Sequence, residues 1–146
     1  ETIELWKTMN RWAIEGFNKT YERFGISHQK EYFESDIYAQ GKEVVQKGLQ
    51  EDVFSRDEQG NVVADLEEEN LGVKVLLRSD GTSIYITQDI ALAYAKNEDF
   101  TADTFLVLTG NEQDHHFKVL FAILDKLGFN AREHHQHLSY GMIYLP

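Results

Sequence analysis

Tyr85 and Asp89 stand four residues apart, and Gln113 follows within Gly110-Asn111-Glu112-Gln113-Asp114-His115-His116-Phe117. A carboxylate can pair with a cationic group, and a nearby phenol can add a neutral hydrogen bond. An amide both donates and accepts, so Gln113 could position a ligand without adding charge. Each residue also has a plainer reading. An Asp in a helix's first turn complements the helix dipole, a Tyr on an apolar strand packs in a core, and a Gln at a helix start satisfies backbone amides. The residues alone leave both readings open.

Five of the six histidines fall in two clusters, His115-His116 and His134-His135-Gln136-His137. Neighbouring side chains on a helix diverge by about 100°, so His115 and His116 do not readily share one ion. Zinc sites usually draw on well-separated ligand pairs with cysteines, and this chain has none. A histidine-rich metal binder is therefore set below solvated or supporting roles. No Ser, Cys or Lys partner suggests covalent catalysis.

The elements that must hold these residues can be read from periodicity and punctuation. Trp6, Met9, Ala13, Phe17, Tyr21 and Phe24 recur at three- and four-residue steps before Gly25, which predicts a long amphipathic helix over 1–25 with its aromatics in a core. A strand is expected at Glu31-Tyr32-Phe33, then a helix N-capped by Asp36 and running to Gly48. Residues 53–55 and 61–65 flank Asp57-Glu58-Gln59-Gly60 and read as a hairpin. Lys74–Arg78 is a strand, Ser79–Thr82 a turn, and Ser83–Ile86 a strand ending where Thr87 caps a helix with Asp89 in its first turn. Thr104–Thr109 reads as a buried strand, Phe117, Leu120, Phe121 and Leu124 as one helix face closed by Gly128, and Leu138–Leu145 as a strand parallel to 104–109. Gln113 then stands at a strand's carboxyl end, where open α/β sheets place ligands.

Composition narrows the function classes. The 146 residues are 42% hydrophobic and 12% aromatic, enough for a folded core, which argues against disorder. Asp and Glu outnumber Lys and Arg 25 to 14, for a net charge of −11. Nucleic-acid binding draws on phosphate neutralisation, so strong tRNA or DNA binding by this chain alone is not expected, and a cationic small ligand fits better. A solvated acidic surface is the alternative. No run of about 18 apolar residues and no signal-peptide pattern is present, so a soluble cytoplasmic location without membrane contact is expected.

Leu77-Arg78-Ser79-Asp80-Gly81-Thr82-Ser83-Ile84-Tyr85-Ile86-Thr87-Gln88-Asp89 resembles the arginyl-tRNA synthetase segment reading roughly LRSDGT, two residues, then Y-x-T-x-D. The usual form has Arg where this chain has Gln88. Gly110–Phe117 is similar to that family's strand-end motif, and Trp12, Glu15 and Phe17 with Glu34-Ser35 match its flanking pattern. The resemblance implies an α/β fold: the second half of a Rossmann-like parallel-sheet catalytic domain over 73–146, an inserted α+β connective lobe over 26–72, and the leading helix over 1–25. It implies that Tyr85, Asp89 and Gln113 bind the substrate arginine, the carboxylate taking paired hydrogen bonds from the guanidinium. More weakly, it sets Gly141 and Met142 where the family's backbone approaches adenine; apart from the resemblance, His116 could lie near the nucleotide with Asp114 orienting it. The family's HxGH and KMSKS-like motifs, which bind ATP and stabilise the transition state, do not occur here. The chain is therefore expected to be an excised part of an arginine–tRNA ligase, inactive alone, whose parent uses arginine, ATP with Mg2+ and tRNA(Arg). The chain itself would carry no intrinsic cofactor. A free-standing, non-catalytic arginine-binding or interaction module is the alternative.

Overall fold

The computed structural model describes residues 1–141 and 144. The chain divides into two units, Glu1–Glu31 and Tyr32–Pro146. The first is built on α1 (Thr2–Phe24), ended by Gly25 at φ 68°, a left-handed position that glycine adopts without a side-chain clash. Ile26 N–H donates back to Tyr21 O at 2.9 Å, completing the cap. The expectation that the helix aromatics form a core is corrected: Trp6, Trp12 and Phe17 are each about 60% exposed, and no α1 residue is buried. A helix buries its apolar stripe only against a second element, and this unit supplies only the short segment after Gly25, where His28 meets Tyr21 edge-on at 4.7 Å.

The second unit begins on extended backbone. Among the described residues the strand expected at 31–33 does not form, and Phe33 (φ −104°, ψ 136°) serves as the N-cap of α2 (Glu34–Gln50). Asp36 is thus inside the first turn, its N–H donating to Phe33 O at 2.9 Å, and does not cap. The hairpin forms as read. β1 (Ser55–Arg56), β2 (Val62–Leu66) and β3 (Gly72–Leu77) make an antiparallel sheet in that order, with a bulge between Val62 and Val63. Because β3 pairs with β2, this sheet crosses the division expected between residues 72 and 73. Asp57 closes the hairpin loop by accepting from Gln59 and Asn61 N–H (3.0 and 2.8 Å) and Asn61 Nδ2 (2.8 Å). These bonds, the Asn61 side chain first, hold its carboxyl below the usual range.

α3 (Tyr85–Asp99) is fixed on two sides. The strand expected at 83–86 shrinks to one bridge, Leu77 with Ser83, because the 79–82 turn delivers the chain directly into the helix. Thr87 therefore lies within the first helical turn instead of capping it, and Asp89 sits beyond that turn. The Thr87 hydroxyl is fully buried and donates to Leu76 O at 2.5 Å, stapling α3 to β3. Opposite, α2 comes so close that a Cβ on Gly41 would stand 2.5 Å from Thr87 O. Gly41→Ala is therefore expected to destabilise despite the roughly 1 kcal/mol that Ala gains over Gly within a helix. Overpacking against backbone typically costs about 1 to 3 kcal/mol, so the net effect is a lower melting temperature by calorimetry. An unchanged or raised value would contradict the contact.

β4 (Phe105–Gly110) and β5 (His135–Tyr140) pair in parallel from Phe105–His135 to Gly110–Tyr140, joined through α4 (Asp114–Lys126) and the short α5 (Ala131–His134). The parallel pairing agrees with expectation, although β5 starts three residues earlier. Met142, Ile143 and Leu145 of the expected strand lie outside the described residues. β4 is not fully buried as expected: it alternates, with Leu106 and Leu108 about 60% exposed. A parallel strand reads as buried throughout only when helices cover both faces, and here Val107 packs against the core while Phe105 stacks on His135 of β5. The core lies between α2, α3, α4 and the antiparallel sheet, with Val45, Leu66, Leu76, Ile90, Ile123 and Leu124 all inaccessible to solvent.

Candidate functional site

Two helices carry the candidate residues. Tyr85 and Asp89 are one turn apart on α3, so both face the same way. This replaces the strand-to-helix junction expected from sequence. On α4, Gln113 is the N-cap position and His116 follows three residues later on the same face. The two helices meet where His116 Nε2 lies 2.7 Å from Asp89 Oδ2. Both side chains are about one-third exposed.

Tyr85 projects outward, 82% exposed, at a cleft of about 440 Å³ that it shares with Lys74, Ile84, Glu112, His115 and His116. Asp89 borders a smaller apolar cavity of about 120 Å³ walled by Leu92, Phe105, Phe117 and Phe121. Gln113 is exposed and does not hydrogen-bond the helix end, so the capping alternative is not the one realised. Gln88 donates its Nε2–H to Glu34 Oε1 at 2.5 Å, tying α3 to the start of α2. Gly141 follows the carboxyl end of β5, and among the described residues a Cβ there would meet nothing within 4 Å. Met142 lies outside the described residues.

Asp114 does not orient His116. Its Oδ1 lies 3.5 Å from His137 Nδ1, close enough for an ion pair but not aligned as a hydrogen bond. His137 Nε2 also meets Thr109 Oγ1 at 2.7 Å, and the His137 ring stacks on Phe117 with centroids 4.5 Å apart. His135 is buried, stacked on Phe105 at 5.0 Å. Sequence reading missed these two inward histidines, although their two-residue spacing on a strand is the signal that puts both on one face. Among the described residues no group of three or more His, Asp or Glu side chains is placed to hold a metal.

Burial first, then the positive charges of His134 and Lys96, pushes the His135 pKa below its ordinary value. A His whose folded pKa is depressed binds fewer protons than the unfolded chain as pH falls below about 6.5. Its contribution to stability is complete above that pH and declines below it. The wild-type melting temperature is expected to fall more steeply between pH 7 and 5 than that of His135→Phe, and parallel curves would contradict this.

Comparison with known proteins places these features in a family. Residues 1–145 match the family model described as "tRNA synthetases class I (R), catalytic domain". The whole chain is 52% identical to the arginine–tRNA ligase of Treponema denticola, covering 25% of that protein. It is 51% identical over 145 residues to that of Flavobacterium psychrophilum, covering 24%. The chain thus spans about a quarter of the length of the curated relatives it matches. The arginyl-tRNA synthetase structure from Plasmodium falciparum superposes over 94% of this chain and 24% of its own with a TM-score of 0.78 at 19% identity, which supports the fold.

Proposed function

The chain belongs to the class I arginyl-tRNA synthetase catalytic-domain family, and from that premise we propose that it forms the arginine-binding part of an arginine–tRNA ligase. The parent activates arginine with ATP and transfers it to tRNA(Arg). One observation carries the assignment of the site: Tyr85 and Asp89 on α3 and Gln113 on α4 lie on turns joined by the Asp89–His116 bond. Asp89 then pairs with the guanidinium, Tyr85 adds a hydrogen bond that sets its plane, and Gln113 positions the rest of the amino acid. Gly141 follows the carboxyl end of β5, the end where α/β sheets place nucleotides, and ATP approaches there, with Met142 next in sequence. In the parent, Mg2+ accompanies the ATP.

Residues 26–72, whose antiparallel sheet is completed by β3, serve as the connective lobe, and 73–146 as the second half of the catalytic fold. With a net charge of −11, the chain leaves tRNA affinity to other parts of the parent. No helix among the described residues is long and apolar enough to cross a membrane. Arginine-dependent exchange of pyrophosphate into ATP tests the reading. The ligase that contains this chain should catalyse it and the 146 residues alone should not. Robust exchange by the chain alone would overturn the proposal.

A further inference from the structure

The Asp89 and His116 side chains are each about one-third exposed where α3 meets α4. An ionised carboxylate has no hydrogen to give, so the bond at 2.7 Å is donated by His116 Nε2–H to Asp89 Oδ2. Asp89 Oδ1 accepts no hydrogen bond among the described residues. The His116 ring is itself constrained. It meets Phe117 edge-on at 5.4 Å, and Phe117 is buried and stacked on His137, which Thr109 anchors from β4. A line of contacts thus runs from the parallel sheet to one oxygen of Asp89.

We infer that His116 is a positioning residue: by holding Oδ2 it presents the Asp89 carboxylate in a fixed orientation to the cationic end of the substrate. This rests on the arginine-site reading above. A carboxylate on two rotatable bonds would otherwise have to be ordered when the ligand arrives, and a group held in place beforehand avoids that loss. The same bond occupies Nε2, leaving His116 less suited to contact a nucleotide. The carboxylate retains lone pairs on both oxygens, so a planar cation can still engage it with two hydrogen bonds.

The test uses the ligase that contains this chain. His116→Phe keeps a ring and removes the donor, and should raise KM for arginine about tenfold, the scale of one charge-assisted hydrogen bond, with kcat and KM for ATP within about twofold. His116→Gln carries an amide donor at similar reach and should recover most of the loss. A change in KM for ATP instead, an unchanged KM for arginine, or no rescue by Gln would overturn the inference. Asp89→Asn run alongside separates the two readings. If it too leaves arginine kinetics unchanged, the arginine site itself has failed; if it alone impairs them, only the positioning role has. Imidazole nitrogen NMR of the unmutated chain gives a readout that needs no variant: the neutral His116 ring should be the Nε2–H tautomer, and the Nδ1–H tautomer would contradict the contact.

Discussion

Asp89→Asn in the ligase that contains this chain is expected to lower kcat/KM for arginine by roughly thirtyfold to a thousandfold, with little change in KM for ATP. The substitution keeps shape and removes charge, leaving a guanidinium opposite a neutral amide whose NH2 points at another donor. Truncating one partner of a desolvated charge pair costs about 2 to 5 kcal/mol. The Asp89 side chain is 35% exposed before a ligand covers it, so the lower part of that range, about 2 to 4 kcal/mol, applies. Tyr85→Phe is the internal comparison: it removes one neutral hydrogen bond worth about 1 kcal/mol, and a fall of about fivefold is expected. If Asp89 served only as a helix residue, Asp89→Asn would leave arginine kinetics intact. Steady-state rates with arginine and ATP varied separately decide between the two.

The neighbouring residue should behave in the opposite way. Ile90 is fully buried in the cluster joining α3 to the antiparallel sheet and α4, and successive helix residues point about 100° apart. Ile90→Ala removes three carbons from a filled core and is expected to cost about 2 to 5 kcal/mol of stability. That is a sizeable share of the roughly 5 to 15 kcal/mol that holds a domain folded. Calorimetry should show a drop of many degrees, while KM for arginine, measured below the transition, stays within about threefold. Two adjacent positions on one helix then separate binding from folding. A variant at Ile90 that melted normally would contradict the core described here.

What could be read from the sequence followed the strength of the local signal. The long helix to Gly25, the hairpin around Asp57–Gly60 and the parallel partner of 104–109 were legible because glycine, turn residues and hydrophobic periodicity each act within a few positions. Ser83–Ile86 looked like a strand because Ile84 and Ile86 alternate with polar neighbours. Thr87 decided otherwise by bonding Leu76 O, a contact between residues eleven apart in sequence. Asp36 has the right chemistry for a cap, yet α2 begins two residues earlier, at Glu34, where the extended backbone of Phe33 already fixes the entry. The aromatics of α1 carry a core-like period, but a period predicts only that a face is apolar and not what covers it.

The residue types of the candidate site stand out in the sequence, and their contacts do not. Tyr85, Asp89 and Gln113 stood out through the resemblance to a known family, whereas the bond between Asp89 and His116 links positions 27 residues apart and leaves no trace in spacing. The same holds for His137, whose partners Thr109 and Asp114 come from β4 and α4. Gln88 is a departure from the family's usual arginine, and its side-chain amide donates a hydrogen bond to Glu34 where a cation would form an ion pair.

The central claim is that this chain recognises arginine by charge at Asp89. The most direct measurement compares arginine with citrulline, its neutral isostere, in the ligase that contains the chain: KM for arginine and the inhibition constant of citrulline, each in wild-type and Asp89→Asn enzyme. A site built on a carboxylate should favour arginine strongly, and removing the charge should reduce that preference by about the same thirtyfold to thousandfold as kcat/KM. A preference for arginine over citrulline left unchanged by Asp89→Asn would contradict the account.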